Sequence, residues 1–304
     1  MKVLLTGGSG QLGSTLIETN PKEVNLLFPN KSDFNLLNKE QCFDFIEREK
    51  PDWIINAGAF TNVEEAESNI DNAFLINYLA LEELANKIKY IGCKLIQIST
   101  DYVFDGLKNN PYETTDKKNP KNVYGLSKSL GENAIINSLK ISQYVILRTS
   151  WVLSPYKNNF LLKILNLMGN KETVKIVNDQ FGCMTSTYSL AKIIWIIINN
   201  VNYLESNKET PNIFHWCDEG TLSWYELANF IRDLGIKKEL IKNPAEIIPV
   251  STNFLDLKAE RPKNSVLDCS KTSKIYKINQ TYWKDSLNKI METILEKKSL
   301  KNNL

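Results

Sequence analysis

The chain has 304 residues, 42% hydrophobic and 24% charged, an ordinary globular mix with length for one large domain or two associated ones. A formal net charge of +2 is near balance and gives no reason to expect a nucleic-acid or membrane surface. The five cysteines are odd in number, scattered and never spaced as CxxC, which argues against a zinc site or disulfide framework and fits a reducing cytoplasm.

In chain order, Met1-Lys2 leads at once into Val3-Leu4-Leu5-Thr6, so no signal peptide is expected. That short apolar run reads as a strand buried on both faces of a parallel sheet. After a glycine-rich turn, residues 11–19 read as a helix, 24–28 as a second strand and 39–49 as a helix. Residues 53–57 give a third strand, 73–90 one strongly periodic helix, 94–99 a fourth strand, 122–139 a helix and 144–147 a fifth strand. This alternation predicts an α/β fold: a Rossmann-type, doubly wound parallel sheet.

Beyond Trp151 the pattern loosens into a helix at 159–167, a strand at 175–178, a helix at 186–199, a strand at 213–216 and a helix at 223–234. The expected division is a dinucleotide-binding domain over 1–150 and roughly 184–216, with a smaller substrate-binding lobe over roughly 151–183 and 217–304. The most apolar stretch, 193–198, is far below the roughly 20 residues of a spanning helix. The Lys/Asn-rich C-terminus, with Lys297-Lys298, reads as a solvated tail.

Three groups of residues carry chemistry. Gly7, Gly10 and Gly13 stand three apart, after a strand and at the start of a helix. Glycines there let backbone amides approach a pyrophosphate at the positive helix end. The second strand runs into Pro29-Asn30-Lys31-Ser32 with no acid at its tip, so Lys31 and Ser32 can receive a 2′-phosphate; NADPH is expected, with nearby Asp33 leaving NADH open. The third strand delivers the small residues of Asn56-Ala57-Gly58-Ala59, against which a flat cofactor can lie.

The decisive set is Ser99-Thr100 at the end of strand four, with Tyr124 and Lys128 one helical turn apart. A neighbouring ammonium is expected to lower the phenol pKa, letting Tyr124 pass a proton to a carbonyl oxygen while Thr100 orients it. The only histidine, His215, reads as a packed or hydrogen-bonded strand residue rather than a catalytic one.

With these residues in place the sequence resembles the extended short-chain dehydrogenase/reductase superfamily, and within it the dTDP-4-dehydrorhamnose reductase family. The likeness runs nearly end to end, through Gly7–Gly13 with Gln11-Leu12, Asn56 to Thr61, Ser99-Thr100-Asp101-Tyr102-Val103-Phe104, Tyr124-Gly125 with Lys128 and Glu132, Arg148-Thr149-Ser150-Trp151, Asp179-Gln180-Phe181-Gly182, and Arg261-Pro262 with Ser265. It implies NADPH-dependent reduction of a nucleotide-sugar ketone. Gly10, Gln11 and Leu12 would meet the pyrophosphate, Ala57, Gly58 and Ala59 the span to the nicotinamide, Asn30 the adenosine ribose, and Asn35 and Leu36 the adenine. Thr100, Asp101, Trp151 and Arg261 would contact the sugar.

The sequence departs from the pattern at Asn35 (usually Asp), Phe60 (commonly Tyr) and Met184 (usually Pro). The resemblance admits a homodimer and, for one group, Mg²⁺ held by glutamates; those glutamates find no match position by position, so no metal is placed. It also leaves open another nucleotide-sugar reductase or epimerase, and an NADP-binding regulatory subunit like that of methionine adenosyltransferase, whose FHW and LDCSK segments recur here.

Overall fold

The computed structural model describes residues 1–207 and 209–302. The first half follows the βα alternation: β1 (Lys2–Thr6), α1 (Gln11–Glu18), β2 (Asn25–Leu27), α2 (Lys39–Glu49), β3 (Trp53–Asn56), α3 (Val63–Ser68), α4 (Ile70–Phe74), α5 (Ala80–Ile88), β4 (Lys94–Thr100), α6 (Val123–Ser138) and β5 (Tyr144–Thr149). Asparagines start three of these helices. The side chains of Asn38, Asn62 and Asn122 accept from Gln41 N, Glu65 N and Gly125 N, satisfying amides that the first turn leaves free.

The second half contributes β6 (Val152–Leu153), α7 (Phe160–Asn170), β7 (Thr173–Val177), β8 (Phe181–Gly182), β9 (Thr185–Ser186), α8 (Thr187–Asn199), α9 (Val201–Ser206), β10 (Ile213–His215), β11 (Leu222–Ser223), α10 (Trp224–Lys237), β12 (Glu246–Val250), α11 (Ser270–Tyr276) and α12 (Trp283–Asn302).

Six strands form one fully parallel sheet in the order β10-β5-β4-β3-β1-β2. Along β1, Val3 and Leu5 enter the core beneath α1 and α8, whereas Leu4 enters the opposite core beneath α2 and α5. Two covered faces explain why β1 is apolar without alternation. The chain leaves β1 for β2 on one side and returns to β3 on the other, so the strand order reverses there and opens a crevice at the carboxyl ends. A third core joins α7, α10 and α12 to the parallel pair β7–β12. Residues Val266 to Ile278, by contrast, pack with the α8 face of the main sheet.

Two expectations are corrected and one strand was not foreseen. The helix foreseen over 73–90 is interrupted by a π-helical turn, Leu75–Leu79. There Asn77, buried, accepts from Phe60 N (2.9 Å) and donates to Phe60 O (2.9 Å) and Ser127 Oγ (3.0 Å), so an extra residue of helix clamps the loop after β3 onto α6. The Lys/Asn-rich stretch through residue 302 is helical rather than a tail, residues 303 and 304 lying outside the described residues: α12 runs to Asn302, and Lys297 Nζ sits 3.5 Å from the Tyr156 ring centroid. The strand β12 gave no alternating signal because Pro249 and Glu246 sit within it; it pairs with β7, each residue with one 73 positions earlier. No helix among the described residues is long and apolar enough to cross a membrane.

Candidate active site

The turn after β1 is built against the loop after β3. Gly7 holds φ at 68°, and a Cβ there would lie 2.7 Å from Gly58 N and 2.8 Å from Ala57 O. Gly10 N donates to Gly7 O at 2.9 Å, and Gly13 packs directly under Gly7 and Gly8, where no side chain fits. Gly10 then caps α1 without any side chain, leaving the first-turn amides free. These residues fit a dinucleotide: a backbone cradle at a positive helix end, opening into two adjoining hollows.

The larger hollow, about 650 Å³, is lined by Gly7, Gly10, Gln11, Leu12, Ala57, Gly58 and Ala59 on the cradle side. Thr100, Asp101, Tyr124, Lys128 and Trp151 line its far side. The smaller, about 440 Å³, is lined by Asn30, Lys31, Asn35, Leu36, Gly58 and Ala59, beside Phe28 and Phe34. Every sequence-predicted site residue except Gly13, Ser32 and Arg261 thus borders one of two neighbouring hollows.

A buried polar chain joins the catalytic side to the cradle. Lys128 Nζ donates to Ile98 O at 2.6 Å, and Gln97 Nε2 donates to the same oxygen at 2.7 Å. Asn56 Nδ2 donates to Gln97 Oε1 (2.7 Å), Thr6 Oγ1 to Asn56 Oδ1 (2.5 Å), and Gly58 N to Thr6 Oγ1 (3.2 Å). Polar side chains at the ends of β1, β3 and β4 therefore satisfy one another and fix the ammonium relative to the glycine loop.

The acid–base expectation needs correction. Burial pushes the Tyr124 phenol up to about 12, with the Thr100 hydroxyl beside it pulling the other way and Asp101 adding to the rise. Burial brings Lys128 down to about 8, against the pull of Glu132. The ammonium faces the Ile98 carbonyl, and desolvation outweighs any lowering of the phenol. A phenol that keeps its proton suits a proton donor.

Asp101 is buried and pushed up to about 6 by that burial; its Oδ1 accepts from Thr100 Oγ1 at 3.0 Å, while Oδ2 finds no partner. Trp151 has left-handed backbone (φ 44°), and its ring stacks on Trp224 with centroids 3.6 Å apart. Trp224 thus covers one face of the indole. A Cβ at Gly182 would come within 2.8 Å of its Cε2, so the ring also packs closely against that backbone. Arg261 stands apart, its Nη2 donating to Glu64 Oε1 at 2.9 Å and its Nε buried without a partner.

His215 is packed as expected. Arg148 Nη1, which can only donate, lies 3.4 Å from Nε2, so Nδ1 carries the proton and donates to Tyr112 O at 3.0 Å. Burial, with the Arg148 charge, drops its pKa to about 3. Sequence reasoning missed Trp224, Lys157 and Asn158, which also line the larger hollow. Ser223 and Glu226 form a capping box at the start of α10, a sequence signal that puts Trp224 at the first helical position. Among the described residues no group of three or more His, Cys, Asp or Glu side chains is arranged to hold a metal ion.

A parallel sheet with a glycine cradle at its switch point, and Thr100, Tyr124 and Lys128 across the same hollow, defines a nicotinamide-dependent oxidoreductase of Rossmann type. Residues 1–296 match the family described as the RmlD substrate binding domain, and the chain belongs to that family.

The dTDP-4-dehydrorhamnose reductase of Aggregatibacter actinomycetemcomitans is 33% identical over 291 residues, covering 95% of this chain and 98% of that one. That of Sinorhizobium fredii is 31% identical, covering 97% and 98%. Among solved structures, the dTDP-4-dehydrorhamnose reductase of Bacillus anthracis in complex with NADP is 29% identical with a TM-score of 0.87, over 96% of this chain and 99% of that one. The UDP-glucose 4-epimerase of Thermus thermophilus, 18% identical over 97% of this chain and 99% of that one with a TM-score of 0.76, shares the fold.

Proposed function

We propose that the protein reduces the 4-keto group of dTDP-4-dehydro-L-rhamnose to give dTDP-L-rhamnose, using NADPH. The observation that carries this reading is the convergence of Thr100, Tyr124 and Lys128 on the hollow into which the glycine cradle opens. NADPH, when bound, supplies the hydride. Gly7, Gly10, Gln11, Leu12 and Gly13 would hold or shape the site for its pyrophosphate, Ala57, Gly58 and Ala59 the adjoining span, and Asn30, Lys31, Asn35 and Leu36 its adenosine end.

Tyr124 gives its hydroxyl proton to the ketone oxygen, completing the new C–OH group, and Lys128 compensates the phenolate until solvent reprotonates it. Thr100 donates to the same ketone oxygen by turning its hydroxyl away from Asp101 Oδ1. The partnerless Asp101 Oδ2 is an acceptor suited to a sugar hydroxyl. Trp151 contacts the sugar, and Arg261 reaches it by exchanging Glu64 for a ligand oxygen. On this reading residues 1–150 and roughly 184–216 bind the dinucleotide, and roughly 151–183 with 217–304 bind the sugar nucleotide. Five free cysteines suit a cytoplasmic setting.

The test is NADPH oxidation followed with several nucleotide 4-keto sugars. Turnover with the dTDP-linked 4-keto-L-rhamno sugar above the others supports the reading. Turnover confined to another sugar, or none despite NADPH binding, would sink it.

A further inference from the structure

Both ligands of the proposed reaction carry a diphosphate, and the hollow is short of cations to meet two of them. Its lining holds two ammonium groups, Lys128 and Lys157. Lys128 is committed to the Ile98 carbonyl and to the proton chemistry. Arg261, outside the lining, is paired with Glu64. Lys157 Nζ has no hydrogen-bond or ion-pair partner among the described residues, and the residue lies exposed at the rim.

The strap that carries Lys157 is firmly built. Ser154 Oγ donates to Gln11 Oε1 at 2.9 Å, tying it to the first turn of the cradle helix α1. Tyr156 OH donates to Glu18 Oε2 at 2.5 Å, at the other end of that helix, while Lys297 of α12 covers the Tyr156 ring. Asn159 Nδ2 donates back to Ser154 O (2.9 Å) and Tyr156 O (3.2 Å). Between these ties Lys157 holds φ at 54°, a left-handed state uncommon for a residue other than glycine. Such geometry persists where surrounding contacts over-determine it, and here it sets a cation at the mouth of the hollow, one strap away from the pyrophosphate end of α1.

We propose that Lys157 is a diphosphate-binding cation of this hollow, its ligand being the diphosphate of the dinucleotide or that of the sugar nucleotide. The inference rests on reading the hollow as a reductase site, but its test needs no turnover. Dissociation constants for NADPH and for thymidine diphosphate are measured on the full-length wild type, Lys157→Met and Lys157→Arg, with melting temperatures alongside.

Lys157→Met should weaken one of the two ligands by about tenfold or more, and Lys157→Arg should restore most of it, as expected for a charge-assisted contact. Loss for NADPH alone assigns the cofactor diphosphate; loss for thymidine diphosphate alone assigns the substrate's. Both affinities within about twofold of wild type in Lys157→Met, well below the effect of a lost charged contact, would overturn the proposal. So would equal losses in the Met and Arg variants, which would trace the effect to the strap's conformation. A protein that binds in this Lys157-dependent way but reduces no keto sugar leaves this inference standing and removes the proposed reaction.

Discussion

Glu132 and Arg148 meet side by side in the interior, Nε donating to Oε1 at 2.9 Å and Nη2 to Oε2 at 2.8 Å, with neither side chain more than 1% exposed. Glu132 stands one turn beyond Lys128 on α6, and Arg148 stands on β5, so the pair fastens the helix bearing Tyr124 and Lys128 to the sheet. Burial alone would push the carboxyl up; Arg148, Lys118 and the Ser99 hydroxyl instead hold it at about 2. Removing one partner strands the other. Arg148→Met should destabilise the fold by about 3–5 kcal/mol, the usual effect of leaving a buried charge uncompensated, read from the urea midpoint. A loss under about 1 kcal/mol, the size for exposed pairs, would show that Lys118 alone suffices.

His215 makes a pH-dependent contribution whose sign can be worked out. Its folded pKa of about 3 lies below the unfolded value near 6.5, so below pH 6.5 the unfolded chain takes up a proton that the folded one refuses. The stabilisation is whole above about pH 6.5 and is lost progressively as the pH falls toward 3. Thermal melts of wild type and His215→Gln should therefore converge, or cross, as the pH is lowered from 7 to 4, with a relative slope approaching about 1.4 kcal/mol per pH unit. A difference that stays constant across that range would mean the folded protein takes up the His215 proton as readily as the unfolded chain.

What could be read in advance was what the chain states locally. A strand's apolar run, a glycine turn and a Tyr and Lys four apart lie within a few residues of one another, and the order of the βα units fixes which of them share the crevice. What escaped depends on contacts between distant segments. Trp224 and Lys157 reach the hollow from α10 and from the strap before α7, far from either motif. The π-turn exists because Asn77 clamps Phe60 from 17 residues away, and β12 exists because β7 lies beside it. The lysines of α12 hid a helix whose Leu287, Ile290, Met291 and Ile294 complete the third core.

Cofactor choice turns on the tip of β2. Lys31 borders the smaller hollow with Asn30 and Asn35, and no carboxylate lines that hollow to hold a ribose 2′-OH. NADPH should bind about tenfold or more tightly than NADH, and Lys31→Asp should shift the preference toward NADH. Fluorescence titrations in which wild type binds NADH more tightly would contradict this assignment.

The proton donor and its neighbouring ammonium are separable by pH. Tyr124, at about 12, keeps its hydroxyl proton throughout the working range, whereas Lys128, at about 8, is charged only below that value. Asp101, at about 6, is a full acceptor only above it. For the free enzyme kcat/KM should therefore be bell-shaped, falling below about pH 6 as Asp101 protonates and above about pH 8 as Lys128 loses its charge. Asp101→Asn should remove the acid limb. Tyr124→Phe removes the donor but keeps the ring, so turnover should fall at least about 10²-fold while NADPH affinity and Tm barely move. Lys128→Met should suppress turnover, erase the alkaline limb and weaken NADPH as well. In the double variant the two losses should be far from additive, because a phenol without its ammonium and an ammonium without its phenol are the same broken unit. Near wild-type reduction by Tyr124→Phe would remove this mechanism and require another proton donor in the same cleft.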